Sequence, residues 1–416
     1  MKKLLFVTTR LFWPTDSGRK VSLYYYCKGL HEKYGYDIYL YSFLEPGQNE
    51  DTTKNKPDFI KVIRLAKPLT KLNKIGSLFL RSLFCGWPFQ NSIYYSLKNK
   101  KEIQKYCEEI QPDAIFVDMI RLAPYYSAFK KADCKKVLDL DDLLSRRYER
   151  QLASKNDSGS LFGAFSTEDQ NIKNYKVKHF VLKMESKRVK KAEIKYAKLY
   201  DKVVFVSDVD TIFLNSVLPN KAITVRLGVD YKYLSNIKET QYEKNTISFL
   251  GNLKYSPNVT SLDIIVNSIL PKLNFDFTLK IIGPCPEEIK EKYQKDNIVF
   301  LGRVKDQRLI IRSSLCFAGY ISYGSGVKTK ILEALAIGST VVTNSLGVEG
   351  IDFKDANDYC YVSDDLEQYA NIINEIHKDN RLAVRKSKKA QQFVKEKYDW
   401  ETIYESFNFL GEANRD

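Results

Sequence analysis

Residues 323–351 read YGSGVKTKILEALAIGSTVVTNSLGVEGI, a glycine-containing turn, a helix and a short strand in succession. The apolar face of the predicted helix comprises Ile331, Leu332, Leu335 and Ala336, and the β-branched run STVVTN (339–344) predicts a buried strand. A helix that leads directly into such a strand is the repeating unit of a parallel α/β sheet. This stretch therefore predicts the fold class, and the rest of the chain repeats its pattern.

Short apolar runs alternate with longer helical stretches along the chain. The predicted strands are 2–9, 36–43, 58–65, 113–118, 135–140, 201–207 and 222–227 in the first half, and 246–251, 277–283, 297–302, 315–321, 339–344 and 358–362 in the second. The polar, non-periodic stretch 230–245 separates the two series and is interpreted as an interdomain hinge. We therefore predict an α/β protein with two Rossmann-like doubly wound domains that face each other across a cleft.

The length of 416 residues fits two domains better than one hydrophobic core. We place the first domain at 1–235 and the second at 236–397. A C-terminal helix at 398–416 is predicted to cross back to the first domain. The small, polar stretch 153–171 is either a loop near the cleft or an insertion without function, and the sequence leaves both interpretations open.

Cysteine and histidine usage excludes several classes of site. The seven cysteines are scattered and form no C-x-x-C pair, which argues against a disulfide framework or a zinc ribbon and for a reducing compartment. The three histidines lie far apart, so a zinc hydrolase or a histidine-based triad is not expected. The first apolar run is too short for a signal peptide, and no run reaches the ~20 residues of a membrane span. The sequence therefore predicts a cytoplasmic protein.

The net charge of +15 points to partners that carry phosphate groups. The lysines are dispersed and no nucleic-acid-binding module is present, so no nucleic acid partner is predicted. Neither half carries G-x-G-x-x-G after its first strand, and no Walker loop occurs, which disfavours dehydrogenases and P-loop enzymes.

The turn at 324–326 precedes the helix start, where free backbone N–H groups and the helix dipole favour an anion. Lys328 and Lys330 add two cations there, although a solvated first turn would show the same residues. Glu333 is placed to accept hydrogen bonds from sugar hydroxyls, as acidic residues do with ribose in other nucleotide folds. An ordinary helix pairing between Glu333 and a lysine remains an equal alternative.

The second half resembles the donor-binding domain of family-four glycosyltransferases, which have the GT-B fold and retain anomeric configuration. The segment 323–351 resembles their donor motif, and SFLGNLKYSPN (248–258), LKIIGP (279–284), IVFLGRV (298–304) and YDWE (398–401) match in the same order. The resemblance covers about 240–400. It implies a retaining transfer of a sugar from a nucleotide-diphosphate sugar, with no cofactor and no metal.

The resemblance also implies site residues. Glu333 corresponds to the second glutamate of the family's E-x7-E pair and would hold the donor ribose, whereas the first glutamate is replaced by Ser325. Lys328 and Lys330 would act on the departing diphosphate. The remaining donor contacts would come from Gly251, Asn258, Gly324, Ser325, Gly326 and Val327.

The first half resembles the same family more weakly. Gly18 opens a helix where family members place a glycine-rich turn against the donor phosphates, although Asp16 and Ser17 also fit an ordinary helix cap. In VLDLDDLLSRRYER (137–150) we align Asp142 with the family's recurrent aspartate at the catalytic cleft.

Segment 70–95 mixes basic residues with Leu, Phe, Trp and Tyr. Such segments lie at membrane interfaces and attract anionic headgroups, although a buried helix pair would look similar. The protein would then be peripheral on the cytoplasmic face.

The resemblance therefore implies a glycosyltransferase that acts on a saccharide or a polyprenyl-diphosphate-linked acceptor in bacterial cell-surface polysaccharide synthesis. Two alternatives stay open: a sugar-nucleotide epimerase, and a catalytically silent GT-B subunit that binds a partner transferase.

Overall fold

The computed structural model describes residues 1–15, 18–45, 47–67, 76, 78–153, 175–238, 240–323 and 327–411. The chain divides into two compact units. Unit 1 comprises Met1–Arg226 and Tyr404–Asp416, and unit 2 comprises Leu227–Ile403.

Unit 1 contains a seven-stranded parallel sheet with the order β3-β2-β1-β4-β5-β6-β7. Its strands are β1 (Lys2–Thr8), β2 (Tyr36–Ser42), β3 (Ile60–Leu65), β4 (Ala114–Asp118), β5 (Lys135–Asp141), β6 (Lys202–Phe205) and β7 (Ala222–Thr224). All seven predicted strands are confirmed. Because β1 lies between β2 and β4, the direction of winding reverses there, and the carboxyl ends of β1 and β4 form the topological switch point.

The helices of unit 1 connect these strands. They are α1 (Gly18–Glu32), α2 (Phe89–Tyr94), α3 (Leu97–Ile110), α4 (Met119–Leu122), α5 (Tyr126–Phe129), α6 (Leu144–Ala153), α7 (Tyr175–Leu199) and α8 (Asp208–Val217). Shorter 3-10 turns cover Glu50–Asn55 and Ala123–Tyr125, and Leu78–Phe84 is a π-helical turn. β4 is buried along its whole length, as expected for a central strand covered on both faces.

Unit 2 contains a six-stranded parallel sheet with the order β10-β9-β8-β11-β12-β13. Its strands are β8 (Glu243–Leu250), β9 (Thr278–Ile282), β10 (Ile298–Gly302), β11 (Ser314–Gly319), β12 (Val341–Thr343) and β13 (Tyr361–Val362). The six predicted strands are thus confirmed, with ends shifted by a few residues. Two parallel α/β sheets, one in each half of the chain, are the architecture that the sequence predicted.

The helices of unit 2 pack on this sheet. They are α9 (Tyr231–Ser235), α10 (Ser256–Ile264), α11 (Glu287–Tyr293), α12 (Gln307–Ser313), α13 (Thr329–Ile337), α14 (Leu366–Lys378), α15 (Arg381–Tyr398) and α16 (Trp400–Tyr404). A π-helical turn at Ile265–Ile269 and 3-10 turns at Leu270–Lys272 and Ala356–Asp358 complete the unit. The predicted apolar face of α13 is buried, and Gly338 ends that helix in the left-handed conformation that glycine favours (φ 78°).

The predicted hinge 230–245 contains regular structure, because it includes α9 and the first residues of β8. The Asp230 side chain accepts a hydrogen bond from Tyr233 N at 2.9 Å, and Leu234 is buried in the core of unit 2. The boundaries between the two compact units follow Arg226 and Ile403, whereas the domain boundaries predicted from the sequence follow residues 235 and 397.

The predicted C-terminal helix is interrupted. α16 is followed by a 3-10 turn at Glu405–Phe407 and by the short helix α17 (Asn408–Gly411). These residues pack within unit 1: Tyr36 Oη donates to Leu410 O at 2.9 Å, and a methyl group added to Gly29 would overlap the Tyr404 ring. Short helical turns therefore suffice to bury Phe407 and Leu410.

Candidate active site

Two glycines bring two strand ends of unit 2 together. Gly251 follows β8, and its N–H donates to Ile282 O at 2.9 Å. A Cβ atom on Gly283 would lie 2.2 Å from Gly251 O, and Gly283 has a φ of +125°. A side chain at Gly283 is therefore excluded by both space and backbone conformation. This close approach sets the floor of the site at the carboxyl edge of the sheet.

Asn258 connects this floor to helix α13. Its amide nitrogen donates to Asn252 O at 3.0 Å, and its Oδ1 accepts from Lys330 Nζ at 3.0 Å. Of the predicted donor residues, Gly251, Asn258 and Lys330 are therefore brought together by the fold. A Cβ on Gly251 would lie only 3.0 Å from Asn258 Cγ, which explains the glycine at that position.

Lys330 is a half-buried lysine. Its ammonium group lies 5.4 Å from the centroid of the Phe249 ring and bonds to the neutral oxygen of Asn258. Burial, together with the nearby charge of Lys328, lowers its pKa to about 8. An oxyanion beside Lys330 would raise the pKa of the amine again, because an opposite charge favours its protonated form.

Lys328 immediately precedes helix α13, at its N-cap position. Its Nζ lies 3.6 Å from Glu349 Oε2, and most of the side chain is buried. The loop that carries Glu349 also contacts Val327, since a Cβ on Gly350 (φ +80°) would lie 3.1 Å from Val327 Cγ2. The start of α13 is thus bordered by the loop at 349–350, which lies at the end of the segment 323–351 that resembles the donor motif.

Glu333 lies one helical turn after Lys330 and is partly exposed. Burial raises the pKa of its carboxyl group to about 7. Its carboxylate makes no hydrogen bond or salt bridge with any other residue that the structure describes. The alternative of an ordinary pairing with a lysine is therefore not supported within the described residues. A partly buried carboxylate with a raised pKa is a common feature of ligand sites.

A network of hydroxyl and amide groups holds residues 321–323 after β11, and no motif in the sequence predicted it. Ser322 N donates to Ser261 Oγ at 3.1 Å, and Ser256 Oγ lies 2.7 Å from Tyr323 Oη. Asn344 then binds both backbone groups of Ile321, at 3.1 and 2.9 Å. Residues 321–323 are therefore held on two sides. The predicted donor residues Gly324, Ser325 and Gly326 lie outside the described residues.

In unit 1, Gly18 is the first residue of α1, as predicted. A Cβ atom added there meets nothing within 4 Å, so packing within the described residues does not require glycine. The capping residues Asp16 and Ser17 lie outside the described residues. The role of Gly18 towards donor phosphates stays a prediction.

The aspartates after β5 do not share one environment. Asp142 forms an ion pair with Arg147, with distances of 2.5 and 3.0 Å from its Oδ2 to Nη2 and Nε. Asp139 and Asp141 instead bind Arg19, at 2.7 and 3.1 Å. Sequence reasoning selected Asp142 and missed Arg19 and its partners. The alternation of side chains along β5 offered a signal, because Asp139 and Asp141 share one face of the strand.

Asp118 completes this cluster from the end of β4. Its Oδ1 lies 2.6 Å from Arg19 Nη2, and its Oδ2 accepts from Thr9 Oγ1 at 2.6 Å. Burial by itself would raise the pKa of Asp118, but Arg19 and Arg10 outweigh it and the pKa is lowered. The cluster therefore gathers groups from the carboxyl ends of β1, β4 and β5.

Three carboxylates lie close together around the guanidinium group of Arg19, and this arrangement changes their pKa values. Burial and the neighbouring aspartates raise the pKa of Asp139 to about 7, despite the opposing effect of Arg19. Burial likewise raises the pKa of Asp141, which is the most exposed member and has a left-handed φ of 66°. Such strain in a non-glycine residue is often found at functional sites.

Part of segment 70–95 is described, namely 76 and 78–95. Arg81 Nη1 donates to Tyr95 O at 3.1 Å, and its guanidinium lies 4.8 Å from the Tyr95 ring centroid. Leu80 and Phe84 are 62% and 73% exposed. Arg81 is thus held against its own segment while apolar side chains face outwards. Lys71 and Lys74 lie outside the described residues.

Within the described ranges, no three His, Cys, Asp or Glu side chains are grouped so that they could hold a metal ion. Among the helices described, none has the length and apolar character needed to cross a membrane.

Part of the second unit is similar to a known protein family. Residues 244–379 match the family model described as "Glycosyl transferases group 1". A curated protein of Klebsiella pneumoniae, the "Uncharacterized 44.6 kDa protein in cps region", is 27% identical over 173 residues. That match covers 38% of this chain and 44% of the relative, so the chain spans less than half the length of the curated relative it matches.

Solved structures match over nearly the whole chain. HepE of Anabaena, determined in complex with UDP, has a TM-score of 0.62 at 13% identity, covering 98% of this chain and 99% of its own. TarM of S. aureus has a TM-score of 0.65 at 12% identity, covering 99% and 100%. WaaG, described as a glycosyltransferase involved in lipopolysaccharide biosynthesis, has a TM-score of 0.61 at 12% identity, covering 99% and 100%. At these identities the matches establish the GT-B fold.

Proposed function

We propose that this chain, whose residues 244–379 match the family model of the group 1 glycosyl transferases, is a retaining glycosyltransferase. It transfers a sugar from a nucleotide-diphosphate sugar to a saccharide or lipid-linked saccharide. The family match and the GT-B fold support the reaction class. The curated relative from a Klebsiella cps region supports a place in cell-surface polysaccharide synthesis.

One observation carries the proposal: two basic residues and a carboxylate lie within two turns of the start of α13. Lys330 is half-buried with a pKa of about 8, and one turn later Glu333, also half-buried, has a pKa of about 7. A diphosphate beside the lysines would stabilise their charge, and ribose hydroxyls would donate to the Glu333 carboxylate. A bound nucleoside diphosphate would therefore provide partners for the lysine ammonium groups and for the Glu333 carboxylate at the same time.

The residues of α13 suggest how the donor bond breaks. Negative charge grows on the departing diphosphate as the glycosidic bond to the sugar lengthens. Lys328, Lys330 and the free N–H groups at the helix start would stabilise that charge. The leaving phosphate oxygen can take the acceptor proton on the same face, which retains the anomeric configuration. Cations of the chain then perform the role that a metal ion has in other transferases, and chelators should not inhibit the reaction.

On the acceptor side we propose Asp141 rather than Asp142 as the residue nearest the reaction. Asp142 is held by Arg147, whereas Asp141 belongs to the cluster around Arg19 at the carboxyl edge of the sheet. Asp141 is also the most exposed carboxylate of that cluster. It can therefore accept a hydrogen bond from an acceptor hydroxyl while Arg19 keeps it oriented.

Membrane contact through segment 70–95 remains part of the proposal. Its support is the exposure of Leu80 and Phe84 on a turn that Arg81 fastens to Tyr95. Apolar side chains that face outwards next to basic residues suit the headgroup region of an anionic bilayer. The protein would then be cytoplasmic and peripheral, close to lipid-linked acceptors.

The direct test is release of nucleoside diphosphate from a panel of nucleotide sugars, with UDP-sugars first. We expect release to depend on a saccharide or lipid-linked saccharide, and to be unchanged by EDTA. Release or rearrangement without any acceptor would support an epimerase instead. Nucleotide binding with no turnover in any mixture would support a catalytically silent subunit.

A further inference from the structure

One side of helix α7 presents only lysines to the solvent. From residue 183 to residue 198, every exposed side chain of α7 belongs to a lysine, namely Lys183, Lys187, Lys190, Lys191, Lys195 and Lys198. Because residues three and four apart lie on the same side of a helix, these positions form one continuous stripe, the lysine face. At about 1.5 Å of rise per residue, the stripe is roughly 22 Å long. Unit 1 therefore carries a straight row of positive charges on its surface.

The two glutamates that lie between these lysines in the sequence are directed into unit 1. Glu185 accepts hydrogen bonds from the N–H groups of Phe89 and Gln90 at 3.0 and 3.4 Å, and Glu193 accepts from Ser145 N at 3.1 Å. Burial raises the pKa of Glu185 to about 7 and that of Glu193 to about 8, so neither carboxyl group is fully ionised near neutral pH. From 183 to 198, the helix therefore places no carboxylate among its exposed lysines.

The lysine face has few partners within the described part of the chain. Lys190 Nζ lies 3.4 Å from Glu149 Oε1, and Lys195 Nζ lies 5.5 Å from the centroid of the Tyr196 ring. The other four lysines form no ion pair with a described residue. Like charges three and four residues apart destabilise a helix, and an anion along the face would reduce their repulsion.

The lysine face passes the edge of the sheet where the aspartate cluster lies. Because α7 leads into the parallel strand β6, it runs from the carboxyl edge of the sheet towards the amino edge. The hydrogen bond between Glu193 and Ser145 fixes the position of the helix, since Ser145 lies in the first turn of α6, shortly after Asp141 at the end of β5. An extended molecule bound along α7 would therefore run past the carboxyl edge that carries Asp141.

The composition of the lysine face favours a hydrated polymer over a bilayer. Helices at membrane interfaces combine basic residues with Trp, Phe or Leu, whereas the exposed positions from 183 to 198 hold lysine alone. The exposed residues Phe180 and Leu199 lie beyond the two ends of this stretch. Lysine ammonium groups are compact, strongly hydrated charges, which suit a partner whose anionic groups stay in water.

We propose that the lysine face of α7 binds an anionic polysaccharide, namely the saccharide chain that serves as acceptor or leaves as product. The row of ammonium groups complements a linear series of negative charges, and its position at the carboxyl edge brings one end of that chain towards Asp141. This inference rests on the proposed function and narrows the acceptor to acidic saccharides.

The test measures the binding of polygalacturonate, which carries a carboxylate on every sugar, by calorimetric titration in the absence of any donor. The triple variant Lys187→Gln, Lys191→Gln, Lys195→Gln should bind at least about tenfold more weakly at low salt, with a less steep dependence on salt concentration, because fewer counterions are released. Arginine at the same three positions keeps the charge and should retain binding. Neutral dextran should not bind to either variant or to the wild type.

The matched control removes the same charge from helix α15 of unit 2, through Lys388→Gln, Lys395→Gln and Lys397→Gln. These lysines are also exposed, but the exposed Glu396 lies among them. The control should leave polygalacturonate binding nearly unchanged, and thermal unfolding checks that both triple variants are folded. Equal losses in the two triple variants would overturn the inference, because total charge rather than the lysine face would then determine binding.

Two other polyanions test the choice of partner. Vesicles that contain phosphatidylglycerol and duplex DNA are titrated against the same variants. Binding that depends on the lysine face for either of these, without such dependence for polygalacturonate, would overturn the inference.

Failure of the proposed function gives a different result from failure of this inference. In the first case no nucleotide sugar is consumed with any acceptor, while polygalacturonate still binds through the lysine face. In the second, acceptor-dependent release of nucleoside diphosphate persists, while polygalacturonate binding is unaffected by the three lysine substitutions in α7.

Discussion

Glu333→Gln should have opposite effects on stability and on donor binding. The carboxyl group has a pKa of about 7 in the folded chain, against an ordinary value of 4.5. A carboxyl group whose pKa is higher in the folded than in the unfolded state lowers the free energy of unfolding once it ionises. The penalty is absent below about pH 4.5, grows as the pH rises, and is complete above about pH 7.

The size of the penalty follows from the two pKa values. Their separation corresponds to about 3 kcal/mol, an upper limit because Glu333 keeps some exposure to water. Glu333→Gln should therefore raise the unfolding temperature of the ligand-free protein at pH 8, by up to about 10 °C. At pH 5.5 the gain should be clearly smaller. The variant should also bind UDP on the order of tenfold to a hundredfold more weakly, because charge-assisted hydrogen bonds to ribose are lost.

Thermal unfolding at several pH values and calorimetric titration of UDP measure the two effects on the same samples. Glu375→Gln is the control, since Glu375 is an exposed helical glutamate paired with Lys378 in the same unit. It should change neither quantity appreciably. A Glu333→Gln protein with wild-type UDP affinity, or with lower stability at pH 8, would refute the assignment of Glu333 as a ligand-binding carboxylate.

Three further predictions concern Lys330, Asp141 and the turn that carries Phe84. UDP affinity should fall as the pH rises above about 8, because Lys330 loses its proton there, and Lys330→Met should remove that pH dependence. Asp141→Asn should lower turnover at least about tenfold with UDP affinity unchanged, whereas Asp142→Asn should have a smaller effect; equal effects would reject the choice of Asp141. Phe84→Ser should weaken sedimentation with anionic liposomes, whereas Phe180→Ser, at a similarly exposed aromatic, should not; unchanged binding in both would exclude the turn as a contact.

The sheets could be predicted because their strands are short apolar runs with a strong local signal. β4 and β11 are buried at every position, as expected for central strands of a parallel sheet, and each is a short run with an apolar centre. The hinge at 230–245 was harder to predict from the sequence, because the helical turn at 231–235 has no hydrophobic periodicity of its own. It is stabilised by contacts of Tyr233 O and Asn236 O with Arg308, which lies far away in the sequence.

The two halves of the site differed in how much the sequence could indicate. Lys328, Lys330 and Glu333 lie on one helix, so their spacing alone placed them together. The cluster around Arg19 depends on strand order, which brings Asp118 next to Asp139, and no local pattern contains that order. The sequence prediction preferred Asp142 to Asp141, because aligning a motif does not reveal which of two adjacent aspartates is directed towards Arg19.

The most direct test of the central claim is a crystal structure of the protein with UDP. The account predicts diphosphate oxygens about 2.7–3.2 Å from the amines of Lys328 and Lys330, and ribose hydroxyls at similar distances from Glu333. UDP bound away from the start of α13, or at that place with Glu333 making no contact to the ribose, would contradict it.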